Sequence, residues 1–161
     1  MRRALALALL LAGPAAAQEE LGEYEPVAQR LGVELAGCLA ASASREGDAA
    51  CAGRLQALCV EEGPAGETTP GLAACSHALT RAWDGELNRL WPSALAAQGE
   101  GGAERLRDAQ RAWIAFRDAE CLFEAARWEG GSMGAYAGGF CVAGMTAERV
   151  ADLRALLRDG G

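Results

Sequence analysis

Six cysteines, Cys38, Cys51, Cys59, Cys75, Cys121 and Cys141, all lie downstream of a chain start that reads as an export leader. That combination limits what the chain can fold into more than any other feature. Met1-Arg2-Arg3 is a basic head, Ala4 to Ala12 an apolar run, and Gly13-Pro14 breaks it before Ala15-Ala16-Ala17. The pattern is that of a signal peptide over residues 1–17, with an A-x-A cleavage site before Gln18. The apolar run is too short to cross a bilayer, and no cysteine follows the cut to carry a lipid, so no membrane anchor is expected after cleavage. The expected location is the periplasm or the medium. An even number of cysteines in an exported chain reads as three disulfides. Six cysteines allow fifteen pairings, and sequence alone does not choose among them. Pairing neighbours (Cys38–Cys51, Cys59–Cys75, Cys121–Cys141) is the simplest, because each bridge then closes a short Gly-rich or polar connection. Each would contribute about 3 kcal/mol on the chain-entropy estimate. A zinc site is disfavoured, since there is no C-x-x-C pair and His77 is the only imidazole.

The periodicity between those cysteines is helical throughout, and no β-branched alternation occurs. Val27, Leu31, Leu35, Cys38 and Leu39 mark a helix over 26–41, and Leu55, Leu58 and Cys59 a second over 49–60. The segment 61–71, rich in Gly, Pro and Thr, reads as a loop. Leu72, Leu79, Trp83, Leu87, Leu90, Trp91 and Ala94 share a face of a long helix over 72–98, with a kink or break expected at Pro92. A further helix covers 103–128. The glycines from Gly130 to Gly139 read as a loop, after which Thr146 caps a last helix over 147–158. Removing the leader leaves about 144 residues, enough for one domain with a core of its own. The expected fold is all-α: a small disulfide-stapled domain of about four to five helices.

One residue breaks the apolar pattern. Leu106, Gln110, Trp113, Ile114, Arg117 and Cys121 fall on one side of the 103–128 helix at about 100° per residue, flanked by Phe116 and Phe123. A guanidinium on the side that faces the core needs a carboxylate. Asp84 on the preceding long helix is the expected partner, with Glu120 the local competitor. The expected role of that pair is to fix how the two helices stack.

The catalytic inventory is thin. Cys75 is expected to be oxidised, which removes the nucleophile from any pairing with His77. Ser76 and His77 are adjacent and diverge by about 100° on a helix, so they form no dyad. No carboxylate pair carries surroundings that would split its pKa values. Catalytic, cofactor-binding and metal-binding residues are therefore expected to be absent. The chain has a formal charge of -7, which becomes about -9 once Arg2 and Arg3 leave with the leader, and all its cations are arginines. Such a surface repels nucleic acid and anionic lipid and is drawn to basic partners.

Several pieces, in order, resemble the LprI-like family of exported lysozyme-inhibitor-type proteins. They are Thr68-Thr69-Pro70-Gly71-Leu72 leading to Cys75, then Trp83-Asp84, Leu87-Asn88 and an aromatic at Trp91. They continue as Gln110-Arg111-Ala112-Trp113, Arg117-Asp118-Ala119-Glu120-Cys121, Gly130-Gly131-Ser132, Cys141, and Thr146 with Arg149 and Leu153. Trp91 stands where tyrosine is usual, and Pro92 follows it. The resemblance implies a family domain over 67–158, preceded by a helical extension over 18–66 that carries Cys38, Cys51 and Cys59. It also implies a protein partner, a basic lysozyme, whose hydrolysis of peptidoglycan is blocked when an acidic patch or loop enters the sugar cleft. The 130–139 loop, with Ser132 and Tyr136 as polar contacts, is the candidate for that insertion. The alternative is an envelope structural or assembly module that binds another protein and never meets lysozyme.

Overall fold

The computed structural model describes residues 25–99, 101–128 and 131–160, so the leader read over 1–17 lies outside it. Within these residues the chain is five helices: α1 (Glu25–Ala41), α2 (Arg45–Glu62), α3 (Thr69–Ala96), α4 (Gly102–Ala126) and α5 (Gly134–Arg158). No strand occurs among the described residues. Ser44 caps α2 by accepting from the Gly47 amide at 3.0 Å, and Thr68 caps α3 by accepting from the Gly71 amide at 3.2 Å. Such caps satisfy orphan donors and stabilise each helix by about 1 kcal/mol. Between these helices the expected 61–71 loop shrinks to residues 63–68.

Two expectations about helix ends are corrected. Pro92 does not break α3, which continues to Ala96. Leu90 before it and Ala94 after it are both buried, so tertiary packing holds the last turn together despite the missing amide. Thr146 does not cap a short final helix. It lies buried inside α5, its hydroxyl donating to the Val142 carbonyl at 2.7 Å. The helix starts at Gly134, more than three turns earlier, because Gly138 and Gly139 serve close packing here rather than a turn. A Cβ on Gly139 would meet the Ser76 side chain of α3, and one on Gly138 would sit 3.1 Å from Ala125 Cβ of α4. Adjacent glycines thus let α5 approach α3 on one side and α4 on the other.

α5 packs on α2, α3 and α4 and is the centre of the bundle. The core joins Leu31, Leu35 and Leu39 of α1, Leu55 of α2, Leu79, Trp83, Leu87 and Leu90 of α3, and Ala143, Ala147, Val150 and Leu153 of α5. α4 is peripheral: only Gln110 and Cys121 on it are fully buried. The disulfides are Cys38–Cys51, Cys59–Cys75 and Cys121–Cys141, joining α1 to α2, α2 to α3 and α4 to α5. This is the neighbour pairing that short loops favour.

A polar contact absent from the sequence reading joins α2 to α5. Asp48, in the first turn of α2, is 0% exposed. Its carboxylate lies 2.7 Å from Arg158 and 3.1 Å from Arg154. Arg154 also donates to the Leu39 carbonyl at the end of α1, at 2.7 Å. Outside this pair of arginines, Arg45 bridges Asp152 at 2.7 Å and Glu148 at 2.8 Å. A buried carboxylate held by two guanidiniums fixes α2 against the end of α5, and losing it leaves two cations without their counter-charge.

Asp48→Ala is expected to lower stability by about 3 kcal/mol, read by thermal or denaturant unfolding. Gly139→Val is expected to cost about 1–3 kcal/mol through overpacking. Gly144→Ala, where an added Cβ meets nothing within 4 Å on the same helix, should instead stabilise by about 0.5–1 kcal/mol. Equal effects of the two glycine substitutions would refute the close-packing role of Gly139.

Candidate functional site

Because α5 spreads α3 and α4 apart, a groove of about 290 Å³ is left between them. Asp84, Leu87, Asn88 and Trp91 line it from α3. These residues recur at three- and four-residue steps, so they stack along one stripe of the helix. From α4 it is lined by Arg107, Gln110, Arg111, Ile114 and Arg117, again at helical steps. Asp84, Leu87, Asn88, Trp91, Gln110 and Arg117, all among the residues that carry the family resemblance, line this groove. Arg107 and Arg111 were not singled out as site residues, and Ile114, expected on the core-facing side, is exposed. The spacing from Arg107 through Gln110, Arg111 and Ile114 to Arg117 was the available signal.

The expected Arg117–Asp84 bond does not form. Arg117 turns along its own helix, donating from Nε and Nη2 to Asp118 Oδ1 at 2.9 and 2.8 Å, and from Nη1 to Thr146 Oγ1 at 3.3 Å. Asp84 instead accepts from Asn88 at 3.2 Å. The groove separates α3 from α4, whereas Asp118 is the next residue and needs no span. Glu120 is exposed and takes no part. The orienting role therefore belongs to Arg117 between α4 and α5.

Behind the groove wall, Trp113 stands within cation–π range of two guanidiniums, Arg117 at 5.1 Å and Arg149 at 5.8 Å from its ring centroid. Arg149 Nε donates to Gln110 Oε1 at 2.8 Å, and its Nη2 is buried without a partner among the described residues. Burial lowers the Arg149 pKa from its ordinary value, and nearby Asp152 opposes that shift. Gln110 and Thr146, both buried, are thus the neutral acceptors that hold the two arginines in register. Trp83 belongs to the core rather than to the site, and Cys121 and Cys141 supply the staple below it.

The loop candidate is corrected. Of the described residues in 130–139, only Gly131, Ser132 and Met133 lie outside the helix, and Gly131 donates to the Trp128 carbonyl at 3.0 Å. Tyr136 is in α5 and packs edge-on against Phe140 at 5.9 Å. Ser132 and Tyr136 lie past the far end of α4 from the groove. Gly130 falls outside the described residues. Among those residues no group of three or more His, Cys, Asp or Glu is arranged to hold a metal.

The sequence profile of a family described as "Lysozyme inhibitor LprI" matches residues 59–153, which include every residue lining the groove. An uncharacterized protein of Rhizobium meliloti (strain 1021) is 34% identical over 99 residues, covering 53% of this chain and 71% of the relative. No solved structure is detectably similar.

Thr146→Val removes the acceptor for Arg117 while keeping the side-chain volume. It is expected to lower stability by about 1–2 kcal/mol, and Arg117→Met by a similar amount. If the two losses added fully in the double variant, Arg117 and Thr146 would not be coupled.

Proposed function

Because the chain belongs to the lysozyme inhibitor LprI family, we propose that it binds lysozyme outside the cytoplasm and blocks peptidoglycan hydrolysis. The family match over 59–153 carries this reading, since it spans α3, α4, most of α5 and the whole groove. The leader over 1–17 and three disulfides suit an oxidising compartment, the periplasm or the medium. The family is described by inhibition, so the protein acts by occupying a partner rather than by turnover.

The groove between α3 and α4 is the docking surface. Trp91 and Ile114 offer apolar area, and Arg107, Arg111 and Asp84 surround them with charge. Tryptophan and arginine are the residue types that most often carry binding energy at protein interfaces. The net acidity of the chain, about -9 after leader removal, attracts a basic lysozyme at a rate that falls as salt rises. Asp84 is the carboxylate that lines the groove. Binding through α3 and α4 replaces the loop insertion through Ser132 and Tyr136.

The test is lysis of cell walls by lysozyme with the oxidised, leader-free protein added at low and at moderate salt. Lysis should slow in proportion to added protein, less so at the higher salt. Ile114→Asp, at an exposed groove position, should weaken inhibition by roughly tenfold or more without changing the melting temperature. No inhibition at high micromolar protein would discard the proposal. Full inhibition by Ile114→Asp would discard the groove as its site.

A further inference from the structure

The face of α4 turned away from α5 carries an apolar seam that nothing among the described residues covers. Ala109, Ala112, Phe116, Ala119, Phe123 and Ala126 recur at alternating three- and four-residue steps, and all six are exposed. Phe116 is 58% and Phe123 61% exposed, and Leu122 beside them is 72% exposed. The steps are those of a coiled-coil seam, about 27 Å long at the helical rise. The residues that seat α4 on the bundle, Gln110, Trp113, Arg117 and Cys121, lie on another side of the helix. A single exposed phenylalanine needs no explanation, but an uninterrupted seam of this length does.

We infer that this seam joins two copies of the chain, α4 against α4, antiparallel about a two-fold axis. The evidence is its self-complementarity in size. Laid antiparallel with the axis between Arg117 and Asp118, Phe116 of each copy falls opposite Ala119 of the other, and Phe123 opposite Ala112. Ala109 closes the ends against Ala126. Every large side chain meets a small one, and a two-fold axis makes each pairing twice, as an isologous interface requires. The same register sets Leu122 against Ala115 on one flank. An unrelated partner would not require the sizes within one helix to alternate in a way that matches its own reversal.

The seam and its Leu122 flank offer roughly 600 Å² of apolar surface per copy, or about 1,200 Å² in all. That is the lower end for a specific interface and corresponds to a reversible dimer. The chain's acidity opposes association at low salt, so the dimer strengthens as salt rises. This trend is opposite to that expected for lysozyme, and the two proposals are separable.

The experiment is sedimentation of the oxidised, leader-free protein across the micromolar range, paired with thermal melting. The mass should double with concentration. Phe116→Glu should raise the concentration at half-association by roughly tenfold or more and leave melting of the monomer unchanged. The register is tested by exchange. Ala119→Phe alone sets phenylalanine against phenylalanine and should weaken association, whereas Phe116→Ala with Ala119→Phe restores large against small and should recover it. A monomer at every concentration would overturn the inference. So would tighter association of the Ala119→Phe variant, which would mean only a sticky face, or a lower monomer melting temperature for Phe116→Glu, which would mean that another segment of the chain covers the seam.

Discussion

The arrangement depends on how closely α5 can approach its two neighbours. A helix normally keeps 8–10 Å from the axis of another. Gly138 and Gly139 remove the side chains that would enforce that distance, one toward Ala125 of α4 and the other toward Ser76 of α3. α5 therefore sits between the two helices instead of beside them. The groove, the Gln110–Arg149 bond and the Arg117–Thr146 bond all follow from that placement, because each links α5 to α4 or lies in the gap that α5 opens. The neighbouring Cys121–Cys141 bridge holds α4, which has little buried area of its own, against this junction.

A second constraint acts at the other end of α5, and it is electrostatic. Asp48 brings Arg154 and Arg158 together at the start of α2, and Arg154 reaches on to the last turn of α1. Two guanidiniums and a helix carbonyl end surround one buried carboxylate, so α1, α2 and α5 meet at a polar point inside an apolar core. Glycine packing positions α5 at its start, and ion pairing positions it at its end. Desolvation offsets much of the attraction in a buried ion pair of this sort, whereas removing one partner leaves the other charge uncompensated.

The sequence made legible what short-range patterns control. The helical class, the extent of α1 and the presence of three disulfides were readable from periodicity and cysteine count. The rest turned on long-range geometry. Gly138 and Gly139 look the same in sequence whether they bend a chain or let two helices touch, so the first three turns of α5 read as loop. Asp48 sits in a polar stretch, and nothing local shows that Arg154 and Arg158 return to it from more than 100 residues away. Arg117 was rightly expected to need a carboxylate, but the nearest in space proved to be the nearest in sequence. Phe116 and Phe123 flank the apolar side of α4 in projection, yet the narrow contact of α4 with α5 leaves them in solvent.

The three sulfur bridges follow one another along the chain without crossing or nesting. A polypeptide that emerges N-terminus first presents each cysteine and its partner before the next pair appears. Oxidation in order of synthesis would give this connectivity without a reshuffling step. No bridge links the α1–α3 portion to the α4–α5 portion, so each half matures covalently by itself. Their union is left to reversible side-chain packing, which can still correct an early mistake after every thiol has been consumed.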